Sequence, residues 1–186
     1  MSNKTKQIYL VLSQTGTLPS KLIRAVTREQ YNHVSISLDP NLETMYSFGR
    51  RRPRNPLIGG FVTESPGKGT LARFPETKAA VLSLDVTPYQ YNKIKKRLDI
   101  MNCRAPIYNY NYIGLFCAAF NIKYKKKNCF YCSEFVKDIL VKNDVASENK
   151  FDDITHPIYF LTMENTHKIY EGKLTSYSSS RVSFAK

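Results

Sequence analysis

A thiol at the start of a helix and an imidazole on a strand are the groups in this sequence with the most obvious chemistry. Cys132 opens the segment Cys132, Ser133, Glu134, Phe135, Val136, where Phe135, Val136, Ile139 and Leu140 recur at helical spacing and form one apolar stripe. A cysteine in the first turn of such a helix meets unpaired backbone N–H groups and the positive end of the helix dipole, both of which favour the thiolate. A free thiol has a pKa of about 8.5, so it presents only a few per cent of the nucleophilic form at neutral pH and needs a base to carry its proton. Of the three histidines, only His33 falls in a strongly patterned strand. From His33 to Leu38 the chain alternates, with Val34, Ile36 and Leu38 on one face and His33, Ser35 and Ser37 on the other. His156 and His167 lie in a weakly patterned C-terminal stretch.

Together these residues predict nucleophilic catalysis at a carbonyl. His33 takes the Cys132 proton, the thiolate attacks, and N–H groups at the helix start, the Cys132 backbone included, hold the oxyanion while a thioester forms. Water as acceptor gives an amidase, peptidase or esterase, and an alcohol or amine gives an acyltransferase. Other readings compete. Cys132 is also consistent with a buried structural thiol, and His33 with a satisfied strand histidine. Cys129 and Cys132 form a C-x-x-C, the pattern of a redox disulfide or half a zinc site. No second C-x-x-C exists, Cys103 and Cys117 are not spaced as a ligand pair, and the motif comes after a lysine run late in the chain. No metal and no cofactor is expected.

The surrounding elements must bring these two positions together. Gln7 to Ser13 is an apolar run suited to a buried strand, and Pro19 opens a helical pattern in which Leu22, Ile23 and Val26 share a face. After the His33 strand, Asp39, Pro40 and Asn41 predict a turn and Thr44 to Phe48 a returning strand. Gly49 to Gly69, rich in Arg, Pro and Gly, reads as an irregular loop that holds Arg50, Arg51, Arg52 and Arg54. Ala79 to Val86 reads as a strand. Thr87, Pro88 and Gln90 form a capping box ahead of a helix whose apolar positions are Tyr91, Ile94, Leu98 and Met101. Asn109 to Phe120 reads as an aromatic, mostly buried helical stretch, succeeded by the basic run Lys123, Lys125, Lys126, Lys127. Ile158 to Met163 and Lys168 to Leu174 read as short elements at an edge, with a loose tail from about Ser176.

Bulk numbers set the frame. A chain of 186 residues fits a single domain spanning 1–186, and 13 Tyr with 10 Phe supply the surface for a real core. The longest nearly unbroken apolar stretch, Tyr112 to Phe120, falls short of the roughly 18 to 20 residues of a spanning helix, and no signal-like h-region is apparent. The expected compartment is the cytoplasm, and the expected state of the four cysteines is the free thiol. Lys and Arg number 28 against 15 Asp and Glu, a net charge of +13, which points to anionic partners or substrates. Arg50, Arg51, Lys126 and Lys127 are candidate substrate-binding cations, expected to flank one cleft. An anionic lipid, a cell-wall fragment or an acidic peptide would suit them, with peripheral membrane contact. An inactive basic module for anionic lipid or nucleic acid is the alternative, although no helix-turn-helix, zinc-finger, RNP or P-loop signature supports nucleic acid.

A helix opening with Cys132, Ser133, Glu134, Phe135 and Val136, preceded far upstream by His33, Val34 and Ser35 on a strand, resembles the circularly permuted NlpC-like branch of papain-fold thiol enzymes. That branch includes YiiX-type proteins and relatives of lecithin retinol acyltransferase. There the histidine strand precedes the cysteine helix, the order found here. The likeness runs from about Ile8 to about Tyr159 and takes in Tyr46 to Gly49 and Gly59 to Val62. It implies an α+β fold in which an antiparallel sheet carrying His33 packs against the Cys132 helix, with a third polar residue orienting the imidazole. In the family that residue commonly lies on the strand after the histidine, which here offers Glu43, Thr44 and Ser47. Ser47 is the expected third residue. It shares the His33 face only if the hairpin pairs residues whose numbers sum to an even value. Glu64 is an outside candidate, with a surface glutamate as its alternative.

Overall fold

A computed structural model describes residues 5–14, 30–52, 55–118, 120 and 122–179. The helix expected around Leu22, Ile23 and Val26 lies outside these residues, as do Arg54 and the end of the tail. The fold is α+β, built on an eight-stranded sheet of order β7-β6-β4-β3-β2-β1-β5-β8. The strands are β1 (Lys6–Gln14), β2 (His33–Ser37), β3 (Met45–Arg52), β4 (Asn55–Glu64), β5 (Lys78–Val86), β6 (Asn109–Tyr110), β7 (Cys129–Phe130) and β8 (Thr166–Lys173). All neighbours are antiparallel except β6 and β7. The helices are α1 (Gly69–Ala72), α2 (Pro88–Cys103), α3 (Tyr112–Ala118) and α4 (Cys132–Lys142). Among the described residues no helix is long and apolar enough to cross a membrane.

β1 is apolar without a break from Ile8 to Leu12, where both its faces are covered. Ile8, Leu10 and Leu12 join a large cluster with Val34, Ile36, Phe48 and Phe61 of the sheet, Ile94 and Leu98 of α2, and Phe135, Val136, Ile139 and Leu140 of α4. Tyr9 and Val11 join a smaller cluster on the other face with Met45, Ala79, Val81, Leu42, Leu71 and Leu174. The capping box of α2 is complete, with the Thr87 side chain accepting from the Gln90 N–H and Gln90 reaching back to the Thr87 N–H. α4 presents the apolar stripe read from its sequence, and its Phe135 ring lies 5.1 Å from Phe48 and 5.7 Å from Phe61.

Two expectations are corrected. Gly49 to Gly69 is no loop over most of its length: β3 continues to Arg52 and β4 runs back from Asn55 to Glu64. The strands lack apolar alternation because close approaches by other segments take the place of side-chain packing. A Cβ at Gly60 would stand 2.2 Å from the Tyr108 carbonyl oxygen and 2.5 Å from the Arg51 guanidinium, so only glycine fits there. The second correction concerns Asn109 to Phe120. Among the described residues of this segment only Tyr112–Ala118 is a regular helix, and Ile113, Phe116 and Phe120 are exposed.

Candidate functional site

β2 begins at His33, and its register against β1 pairs Ser13 with His33, Val11 with Ser35 and Tyr9 with Ser37. β2 meets β3 through Ile36 with Tyr46 and Ser37 with Met45, an even-sum register that places Ser47 on the His33 face. β3 meets β4 through Met45 with Glu64 and Ser47 with Val62, and so adds Glu64 to that face. Three strands thus aim His33, Ser35, Ser47 and Glu64 at one another.

His33 Nε2 lies 3.0 Å from Glu64 Oε2, 3.2 Å from Ser47 Oγ and 3.3 Å from Ser35 Oγ. Ser35 donates to the same Glu64 oxygen at 2.8 Å, and Ser47 donates to the Val34 carbonyl at 3.2 Å. A carboxylate only accepts, so Nε2 carries the proton in this arrangement, and Nδ1 is the nitrogen left for other work. Cys132 is the second group after Glu64 whose interaction raises the imidazole. His33 is the terminal residue of its strand, so its ring can meet a helix packed on the opposite face. Gly49 leaves space beside the pair: a Cβ there would lie 3.4 Å from Glu64 Oε1 and 4.0 Å from the His33 ring.

The side chains of His33 and Glu64 are each 11% exposed, and the electrostatics of the pair reflect that burial. Burial works against a charged His33, but the Glu64 carboxylate, the interaction with Cys132 and the hydrogen bond to Glu64 outweigh it and hold the imidazole well above its usual 6.5. Burial likewise raises Glu64, yet the His33 charge and the hydrogen bonds from His33 and Ser35 bring it below its usual 4.5. Both groups are therefore charged near neutrality. Tyr110 is close by. Burial, and after it the influence of Cys132, Tyr112, Tyr131 and Glu64, keeps its phenol protonated far above the usual 10.0.

Cys132 is 3% exposed and is the first residue of α4. The cap residue Tyr131 makes no side-chain hydrogen bond into the first turn. The N–H groups at Cys132 and Ser133 are thus not covered by a side-chain cap. A cavity of about 30 Å³ adjoins the thiol, lined by Asn32, Leu115, Ala118, His156 and Pro157 among others. A small, mostly apolar space beside a thiol and free N–H donors can seat a carbonyl or the first carbons of an acyl group.

The expected single basic cleft does not form. Arg51 donates from Nη2 to the carbonyls of Ala105 (2.6 Å) and Tyr108, tying β3 to the chain ahead of β6. Arg50 and Arg51 border a cleft of about 970 Å³ with Glu64 and Lys68. Lys123, Lys125, Lys126 and Lys127 border a different one of about 370 Å³ with Glu134 and Lys137. Arg50 Nε and Nη2 are buried and have no hydrogen-bond partner among the described residues. The site residue that sequence reasoning ranks too low is Glu64, whose local pattern reads as a surface side chain. Ser35 is legible from the strand alternation alone. A comparison with protein-family models and with curated proteins returns no match for the chain.

Proposed function

We propose that this protein is a cysteine-dependent hydrolase or acyltransferase acting on an amide or ester bond, with Cys132 as nucleophile and His33 as proton carrier. One observation carries the reading. A thiol in the first turn of a buried helix acts on an imidazole whose Nε2 is held at 3.0 Å by a carboxylate that is only 11% exposed. Structural histidines seldom need such an arrangement, whereas a thiol nucleophile does.

In this reading the Cys132 proton rests on His33 in a thiolate–imidazolium pair, and the thiolate sulfur adds to the substrate carbonyl carbon. The carbonyl oxygen becomes an oxyanion facing the Cys132 and Ser133 N–H groups. Collapse breaks the bond to the leaving amine or alkoxide, which takes the proton from His33 and departs, leaving a thioester on Cys132. His33 then deprotonates water, or an acceptor alcohol or amine, which attacks the thioester and releases the product and the thiol. Glu64 orients the ring and stabilises the imidazolium. Ser47 and Ser35 hold the Glu64 and His33 heads in place. The α+β sheet and the order of histidine strand before cysteine helix agree with the permuted NlpC-like branch, and we assign the chain to that type of enzyme.

The test is competitive alkylation with iodoacetamide at pH 5.5, read by peptide mass spectrometry. An ordinary thiol is almost wholly protonated there. Cys132 is expected to label before Cys103, Cys117 and Cys129, and to lose that lead in His33→Ala. Faster labelling of Cys103, the exposed thiol, in the folded wild-type protein would overturn the assignment.

A further inference from the structure

The segment expected to be buried is instead the most apolar part of the described surface. In α3 and the residues after it, Ile113 is 58% exposed, Phe116 62%, Phe120 64% and Ile122 57%. Ile113 and Phe116 are one helical turn apart, and the rings of Phe116 and Phe120 lie 5.2 Å apart, so these three side chains form one continuous patch, with Ile122 exposed two residues beyond Phe120. Scattered exposed hydrophobics are ordinary on a protein surface, but a contiguous cluster marks a contact site.

The next residues along the chain identify the occupant of the patch. Lys123, Lys125, Lys126 and Lys127 come directly after Ile122, all exposed. Lys123 is paired with Asp153, whereas Lys125, Lys126 and Lys127 form no ion pair among the described residues. Large apolar side chains bordered by unpaired lysines match an anionic bilayer surface, where rings enter the acyl boundary and ammonium groups remain at the headgroups. A protein partner would satisfy the apolar residues but gives no reason for three adjacent unpaired cations, and nucleic acid would satisfy the cations but not four exposed apolar side chains.

We infer that α3, Phe120 and Ile122 to Lys127 form an interfacial docking surface for membranes rich in anionic lipid. The opposite face of α3 ties this surface to the candidate site, because Leu115 and Ala118 line the cavity beside Cys132. Docking through Ile113 and Phe116 places that cavity one helix diameter from the bilayer. The inference goes beyond the proposed chemistry and does not depend on it, since a protein without a working thiol would bind equally well.

The experiment is co-sedimentation of the full chain with large vesicles of phosphatidylcholine alone or containing one third phosphatidylglycerol, at low and high salt. Binding is expected only to the anionic vesicles and is expected to weaken steeply with salt. Lys126→Glu with Lys127→Glu should reduce it by at least the roughly fivefold per lysine that one surface charge provides. Phe116→Ser with Phe120→Ser should reduce it tenfold or more while leaving the thermal melt unchanged, because both side chains are exposed. The chain has no tryptophan, so Phe116→Trp adds a single reporter whose emission should shift to the blue on binding. Cys132→Ala should bind like wild type, which separates this inference from the catalytic one. The inference fails if anionic vesicles do not bind. It also fails if the Phe pair is silent while the Lys pair abolishes binding, or if the Phe pair dissolves a dimer of the free protein instead.

Discussion

Removing the charge of Glu64 while keeping its shape is the sharpest perturbation of the candidate site. In Glu64→Gln an amide oxygen can still accept from His33 Nε2, so the ring keeps its tautomer and orientation and loses only the ion partner. The contact of 3.0 Å puts the two charge centres about 4 to 5 Å apart, and at the effective dielectric constant of about 20 that suits buried sites the Coulomb term is about 4 kcal/mol. Relief of desolvation and the retained neutral hydrogen bond return part of that, leaving a net loss of about 1.5 to 3 kcal/mol in the stability of the imidazolium. Formation of a thiolate beside that imidazolium should fall by the same factor, about 10-fold to 150-fold at fixed pH. The assay is the second-order alkylation rate of Cys132 between pH 5 and 8, with a thermal melt to confirm folding. The loss should be smallest at the acid end, where His33 is protonated in both proteins, and should grow toward pH 8, where the variant gives up the imidazolium that wild type keeps. Ser47→Ala should cost far less, because Ser47 brings no charge. Rates for Glu64→Gln within twofold of wild type across the range, or a larger loss in Ser47→Ala, would refute the argument and move the orienting role to the serine.

Two further outcomes concern stability. Because His33 is raised and Glu64 is lowered, their contribution should be complete between the ordinary values of 4.5 and 6.5. It should decline above 6.5 as the pH passes through the folded His33 value, and below 4.5 as it passes through the folded Glu64 value. Denaturation midpoints against pH should show both limbs in wild type, and both flattened in Glu64→Gln. Phe135→Ala removes a fully buried ring that touches Phe48 and Phe61, so chemical denaturation should report a loss of about 3 to 5 kcal/mol. A loss under about 1 kcal/mol would mean that α4 is not seated on the sheet through that ring.

Where the sequence carries a strong local period, it can be read directly. The alternation of His33 to Leu38 and the capping box at Thr87 appear in the structure at the expected residues. The apolar stripe of α4 does so as well. Each of these is set within one turn or one strand, so neighbouring residues suffice to specify it. The α3 segment is different, because there hydrophobicity does not amount to burial. Ile113, Phe116 and Phe120 are apolar yet exposed, and composition does not distinguish a core-facing stripe from a surface-facing one when both faces of a short helix are apolar.

Glu64 shows why the site itself is only half legible. Whether a residue joins the His33 face depends on two registers in succession. The first, β2 against β3, pairs even-numbered residues with even-numbered ones, and a short hairpin around Asp39 to Asn41 makes that alternative visible in the sequence. The second, β3 against β4, pairs odd with even, so that Met45 faces Glu64 and a glutamate of the opposite parity arrives on the serine-lined face. A one-residue slip in that second hairpin would send Glu64 to the other side and bring Thr63 or Ser65 into its place. Nothing local fixes that choice, because the β3–β4 strands lack apolar alternation. The restraints that hold this hairpin in register come from elsewhere in the chain: the Arg51 fork on the Ala105 and Tyr108 carbonyls, and the close fit of Gly60 beneath it. The carboxylate next to His33 is thus positioned by an arginine that sequence reasoning assigns to the substrate. Arg51 ties β3 to the segment ahead of β6 and borders the same cleft as Glu64.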